Sequence, residues 1–226
     1  MSEREQLRRS WEENASAWSE AVRHDAIESR KLVTDEAIVR AVLELHPQTL
    51  LDLGCGEGWL ARTLTVEGIS VVGVDASAAL IAAARELGGG RFLQLSYEAL
   101  GSTAEIDERF DVIVANFSLL ADNIHDVLVT VRQFLKPEGA LVVQTVHSAF
   151  NAGTEPYADG WRVETFAAFP GSWPEKMPWY FRTLASWQRE LHAAGFVITE
   201  IREPLHPRSH IPASILFLCR DSRPSQ

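Results

Sequence analysis

The stretch of the sequence with most capacity for chemistry lies between Leu50 and Ala61. There Gly54, Gly56 and Gly58 alternate with Cys55 and Glu57 behind an apolar run, Leu50, Leu51 and Leu53, that Asp52 interrupts. Glycine lacks a Cβ, so a turn of this composition takes positive φ and lets a ligand lie close to the backbone. Trp59, Leu60 and Leu64 then recur at helical spacing, which predicts a strand, a tight turn and a helix whose free N–H groups face a small polar ligand. Asp75 lies about twenty residues beyond the turn, at the tip of the run ISVVGVD, where an open parallel sheet places its ligand crevice. A carboxylate there accepts from paired hydroxyls, or else caps the helix predicted over Ser77–Leu87. His147 ends the run ALVVQTV. Its imidazole titrates near neutrality, so it is a candidate base for a phenol or hydroxyl substrate, and equally a group that satisfies a loop carbonyl.

The dinucleotide fingerprint is G-x-G-x-x-G, whereas the spacing here is G-x-G-x-G with Trp59 in the third glycine's place. That opposes a pyrophosphate, and with it a nicotinamide-dependent oxidoreductase. The segment Asp52-Leu-Gly-Cys-Gly-Glu-Gly58 resembles instead the first motif of the class I S-adenosylmethionine (SAM)-dependent methyltransferases, and LKPEGALVVQT further on is similar to the same family. The resemblance runs from about Leu43 to Cys219. It implies that Asp52, Gly54, Cys55 and Gly56 surround the amino-acid part of SAM, that Asp75 and Ala76 meet its ribose, and that Ser96 and Tyr97 meet its adenine. Asn116 and Phe117 fall where the family lines the methyl-transfer centre, and an N-terminal arginine, here Arg30, pairs with SAM's carboxylate. Arg30, His24, Glu28 and Ser29 read equally as solvated charges on an exposed helix.

The chain departs from the family pattern in two places. An acid commonly ends the third strand, where this chain has Ser96. The amino-group methylases of DNA bases and protein glutamines carry Asn/Asp-Pro-Pro-Tyr after the fourth strand, and Ala115-Asn-Phe-Ser118 has neither proline, which argues against those substrates. The implied reaction is transfer of SAM's methyl group to an O, N or C atom of a small-molecule acceptor. A module that binds SAM without turnover fits the same residues.

The elements that must position these groups follow from periodicity. Leu7, Trp11, Ala15 and Trp18 form one helical stripe, and Leu32, Ile38, Val42 and Leu45 form a second within Ile27–Leu45, with Thr34 as a predicted N-cap. Strands are predicted at Leu50–Leu53, up to Asp75, at Arg91–Leu95, Phe110–Asn116, Ala140–Val146, Phe196–Ile201 and Ser214–Cys219. A helix is expected over Asp122–Leu135, a turn at Lys136–Gly139, and another helix over Leu184–Ala194. Residues 148–182 are rich in both aromatics and prolines. They predict an irregular cap on the sheet's carboxyl edge, with Tyr157, Trp161, Trp179 and Tyr180 as substrate-pocket residues, or a satellite apolar cluster without a ligand. The fold class expected is α/β: a Rossmann-like seven-stranded sheet with helices on both faces, the first five strands parallel. The whole chain, 1–226, is expected to be one domain with a helical lid (1–46) and an aromatic insertion (148–182).

The formal charge of −10 repels polyanions, so no nucleic-acid partner is expected. No apolar run reaches the length of a membrane span and no secretory signal opens the chain, so a cytoplasmic protein without a membrane partner is expected. Cys55 and Cys219 have neither metal-ligand nor disulfide spacing and read as small buried side chains, and His206 and His210 as loop residues, so no metal is expected.

Overall fold

The protein is described from a computed structural model covering residues 1–151 and 156–223, the side chains of Phe150 and Asn151 excepted. Phe150, one of the aromatics of the 148–182 segment, is therefore described by its backbone alone. Five parallel strands form the centre: β1 (Thr49–Leu53), β2 (Ser70–Asp75), β3 (Arg91–Gln94), β4 (Phe110–Asn116) and β5 (Leu135–Thr145). A separate antiparallel hairpin follows, β6 (Gly160–Glu164) with β7 (Met177–Phe181). The last two strands, β8 (Phe196–Arg202) and β9 (Ile215–Asp221), complete the main sheet antiparallel to β5, in the order β3-β2-β1-β4-β5-β9-β8. This is the expected seven-stranded α/β sheet.

Alternation along the buried strands decides which helix each side chain meets. Leu51 and Leu53 join the cluster packed under α6 (His125–Arg132) and α7 (Leu184–Ala193), while Leu50 joins the one under α3 (Asp35–Leu43), α4 (Trp59–Val66) and α5 (Ala78–Leu87). Both faces are covered, which is why the strands read as nearly continuous apolar runs. The chain runs outward from β1 to β3 and returns on the other side of β1 as β4, so the carboxyl ends of β1 and β4 diverge and leave a crevice. Above it a third cluster, Leu7, Leu120, Phe166, Met177, Trp179 and Phe181, joins α1 (Glu3–Glu13) to the β6–β7 hairpin.

Several boundaries differ from expectation, each for a local reason. The N-terminal stripe breaks at Asn14 into α1 and α2 (Ala15–Arg23), because the Asn14 side chain is fully buried, donating to Ser10 Oγ and Glu175 O and accepting from Glu175 N–H. Thr34 caps nothing. A single π-helical turn, Arg30–Thr34, runs directly into α3, and the first-turn acid Asp35 accepts from Arg30. The helix expected from Asp122 starts only at His125, since Asp122 turns outward to Arg4 and the Asn123 side chain accepts from His125 N–H.

Lys136–Gly139 is not a turn preceding a strand. β5 begins at Leu135 and absorbs these residues as a bulge opposite Asp111, with Glu138 at φ 64°. The 148–182 segment, expected to be irregular, contains the β6–β7 ribbon. Pro178 is tolerated because a two-stranded ribbon is all edge.

Asp111 ties these parts together by accepting from Gln48 N–H, Thr49 N–H, Thr49 Oγ and Lys136 Nζ, so one carboxylate joins the entry of β1 to the bulge of β5. Burial opposes its charge, but the bonds from Lys136 and Thr49 outweigh that and hold it below the ordinary carboxylate value. Its stabilisation is therefore present above the unfolded pKa of about 3.9 and is lost as the pH falls through the lower folded value. Asp111→Ala is expected to cost about 1–3 kcal/mol in urea denaturation at pH 7, with the gap to wild type closing in acid. An unchanged denaturation midpoint at pH 7 would show that water replaces the carboxylate fully.

Candidate functional site

A cavity of about 570 Å³ opens over the crevice between β1 and β4, within the size range of roughly 300–1,000 Å³ usual for small-molecule sites. Its floor is the glycine turn. Gly54 N–H and Cys55 N–H both donate to Val74 O at the end of β2, and Gly56 N–H donates to Asp75 Oδ2 at 3.0 Å. Gly54 and Gly56 both have positive φ but for different reasons. A Cβ on Gly54 would meet Ser118 Cβ at 2.4 Å and Tyr97 Oη at 2.9 Å, so protein fills that side, whereas the nearest atom to a Cβ on Gly56 would be Trp18 Nε1 at 3.7 Å. Gly56 is thus the glycine that presents bare backbone to the cavity. Behind the turn, fully buried Glu57 is held in a two-oxygen salt bridge by Arg62, which also donates to the Glu57 carbonyl.

Ten of the eleven predicted cofactor residues line this cavity: Arg30, Gly54, Cys55, Gly56, Asp75, Ala76, Ser96, Tyr97, Asn116 and Phe117. Asp52 does not. It lies buried behind the turn, its carboxyl pushed up to about 7 by burial and then by the charge of Asp75. Asp75 is also pushed up by burial, against the bonds it accepts from Ser77 and Gly56 N–H. The cap of α5 is Ser77, whose Oγ accepts from Leu80 N–H, so Asp75 is not a helix cap. Burial likewise raises the Tyr97 phenol above its usual value, while its hydroxyl donates to Ser118 O.

The π turn aims Arg30 across the cavity wall. Its guanidinium carbon lies 4.7 Å from the Trp59 ring and 5.6 Å from Trp18, with Nε and Nη2 on Asp35. Three side-chain oxygens lining the cavity are buried without a hydrogen-bond partner: Thr34 Oγ1, Asn116 Oδ1 and Ser118 Oγ. A buried polar atom left unpaired costs about 1–3 kcal/mol, and three of them belong to residues lining this one cavity. Phe117 beside them sits at φ 52°, a strained value for a bulky residue, held by its N–H bond to Gln144 O.

The far end is apolar, walled by Leu7, Trp11, Leu120, Phe166, Met177 and Trp179. Of the four aromatics predicted there, only Trp179 lines it. Side chains alternate along β7, so Met177, Trp179 and Phe181 share the inner face and Tyr180 takes the outer one, edge-on to Trp161. Tyr157 is 60 % exposed, its hydroxyl accepting from Leu184 N–H. His147 is also displaced from its predicted place. β5 stops at Thr145, and His147 lies off the cavity with Nδ1 accepting from Ala149 N–H and Nε2 2.9 Å from Glu203.

Ser118 lines the cavity beside Asn116 and Phe117, as the resemblance implies, and the expected lid supplies Leu7, Trp11 and Trp18, whereas sequence reading gave Thr34 and Glu98 no place in the site. Period-two counting in β7 would have separated Trp179 from Tyr180. The resemblance implied that the N-terminal helices form a lid, but the stripe itself does not say which of its residues face the cavity. Among the described residues no group of three or more His, Cys, Asp or Glu could hold a metal, and no helix is long and apolar enough to cross a membrane.

The model of a methyltransferase-domain family matches residues 8–201. An uncharacterized methyltransferase of Schizosaccharomyces pombe is 30% identical over 183 residues, covering 78% of this chain and 69% of the relative. A ubiquinone biosynthesis O-methyltransferase of Bradyrhizobium diazoefficiens is 36% identical over 117 residues, covering 50% of this chain but only 45% of its own length. Among solved structures, a putative SAM-dependent methyltransferase from Listeria monocytogenes superposes with a TM-score of 0.65 at 20% identity, covering 83% of this chain and 98% of that one. These likenesses set aside the oxidoreductase and the non-catalytic module. With the family's domain extending over most of its length and a ligand cavity at the switch point of its sheet, the chain belongs to this methyltransferase family and takes SAM as its methyl donor.

Proposed function

We propose that the protein methylates a small molecule held in the apolar end of the cavity, with SAM seated on the glycine turn. The observation that carries this reading is the trio of unpartnered buried oxygens, Thr34 Oγ1, Asn116 Oδ1 and Ser118 Oγ, on residues that line the same cavity as the bare backbone of Gly56. An amino acid's ammonium supplies donors for Asn116 and Ser118, and its carboxylate accepts from the Thr34 hydroxyl and from the guanidinium N–H groups of Arg30 that Asp35 leaves over. Asp75 has acceptor capacity beyond its two backbone bonds for ribose hydroxyls. Glu98, on the cavity wall two residues past Ser96, supplies the acid that Ser96 does not.

SAM, when bound, supplies an electrophilic methyl carbon on a sulfonium. The chain's own contributions are alignment and exclusion of water. α1 and α2 roof the cavity and are fastened to the hairpin side through Asn14 and Arg9 on Glu175. His147 has no part in this reading, since both ring nitrogens are engaged away from the cavity.

Titration calorimetry tests the cofactor half. SAM and S-adenosylhomocysteine (SAH) are expected to bind, and Asp75→Ala to cost about 1.5–3 kcal/mol of affinity through loss of charge-assisted hydroxyl bonds. Absence of heat with both ligands from a folded protein would remove the seat. Steady-state kinetics test the acceptor half. Trp179→Ala is expected to raise the acceptor KM by about tenfold or more with SAH affinity unchanged, and Trp161→Ala to do neither. His147→Gln should leave turnover within a few-fold of wild type, whereas removal of a general base would cost roughly 10²–10⁴. A loss of that size would return His147 to the mechanism.

A further inference from the structure

The groups at the transfer end of the cavity bear on which atom is methylated. Four carboxylates line it, and each already accepts at least one hydrogen bond. Glu5 accepts from Ser2 N–H, Asp75 from Gly56 and Ser77 N–H, and Glu164 from Phe166 N–H. Glu98 is held below the usual carboxylate range by backbone bonds and by Ser96, which makes it a weaker base still. The Tyr97 hydroxyl is spent on Ser118 O, burial pushes the Cys55 thiol far up, and no histidine among the described residues lines the cavity. Among the described residues no histidine, free thiol or unengaged carboxylate stands at the cavity to take a proton from an acceptor.

Oxygen and nitrogen acceptors differ in that requirement. A phenol or alcohol is a competent nucleophile only as it loses its proton, whereas a neutral amine attacks with its own lone pair and sheds a proton afterwards. The apolar walls sharpen the difference, because desolvation disfavours whichever form is charged. It raises the pKa of a phenol and lowers that of an ammonium. The cavity already contains a phenol, Tyr97, and its pKa is displaced upward. Arg4, Arg8, Arg30 and Arg162 line the cavity together with Glu5, Asp75, Glu98 and Glu164, so the charges around it balance and leave no net bias towards an anion. At long range the formal charge of −10 draws cations in and holds anions off.

We propose that the acceptor is a small ring-bearing amine, methylated on nitrogen, with its ring between Trp11, Phe166, Met177 and Trp179; this rests on the methyl-transfer reading above. The size limit comes from the cavity itself, since one space of about 570 Å³ holds cofactor and acceptor together. The amine approaches as an ammonium and gives its proton to water as it enters the apolar end. The lone pair then forms the N–C bond while the C–S bond breaks, the bonding pair staying on sulfur, and the N-methylammonium product returns its extra proton to solvent.

The test uses matched probes: benzylamine and phenethylamine against benzyl alcohol, phenol and 4-methylphenol. Calorimetry with the SAH-saturated protein reads binding, and NMR with methyl-labelled SAM reads where the label goes. The amines are expected to bind about tenfold or more tightly than their oxygen counterparts and to take the label on nitrogen, and Trp179→Ala to weaken amine binding with SAH affinity unchanged. Label on oxygen, oxygen probes binding as tightly as amines, or amines that neither bind nor accept the methyl group would each overturn the proposal. SAH titration separates the two levels: failure of SAH to bind brings down the cofactor seat, while SAH binding without N-methylation brings down this inference alone.

Discussion

The site depends on the way the glycine turn hangs from its neighbour strand. Three successive N–H groups, those of Gly54, Cys55 and Gly56, are drawn sideways onto Val74 O and Asp75 Oδ2, so the turn is fixed by the end of β2 as well as by the helix it begins. Everything else is placed relative to that anchorage. Ser118 and Tyr97 close in against Gly54, Glu57 is buried behind with Arg62, and Gly56 is left facing the cavity. The arrangement costs desolvation of two acids, Asp52 and Asp75, each made harder to ionise by burial. A stability-optimised turn would have no reason to collect them. A site that must meet a cationic, hydroxyl-bearing ligand does.

The roof is built on different physics. Trp11 and Trp18 meet edge to face, Trp18 does the same with Trp173, and the Arg30 guanidinium lies between the Trp18 and Trp59 rings. Aromatic faces and a planar cation give a surface that excludes water without leaving polar groups unpaired. Asn14 and Glu175 then fasten it through main-chain bonds rather than through side-chain charge alone, which salt screens less.

The sheet was legible in the sequence because its strands are buried on both faces and punctuated by glycines and end-of-strand polar residues. Phe110–Asn116 needed no revision, and Gly54, Gly56, Asp75 and Asn116 line one cavity. The errors share a cause. Asp122 and Lys136 each carry a local signal, helix start or turn, that a distant partner overrides, Arg4 and Asp111 across the β5 bulge, while the cap signal of Thr34 yields to the π turn that it ends. Composition alone marked 148–182 as a cap, but which aromatics face inward depends on strand pairing, and pairing of Trp161 with Tyr180 is a long-range fact. Asp52 carries the family's motif but sits behind the wall, since a residue at the penultimate position of β1 shares Leu50's face and not the strand's tip.

The β6–β7 hairpin meets the main sheet's side of the molecule through few directed bonds: Tyr180 N–H and the Arg182 guanidinium on the carbonyls of Leu120 and Ala121. Together with α1 it forms nearly all of the apolar end, while the polar end is made from strand tips and the turns that follow them. In the proposed reading, the residues that contact the acceptor and the strands that form the sheet's core are thus mostly different residues. Such a division leaves selection free to redraw one half by substitution or by lengthening a loop, at little cost to stability. Divergence in this lineage is accordingly expected to accumulate in 1–20 and 150–182, and a duplicated gene could acquire a new acceptor without first losing the ability to fold.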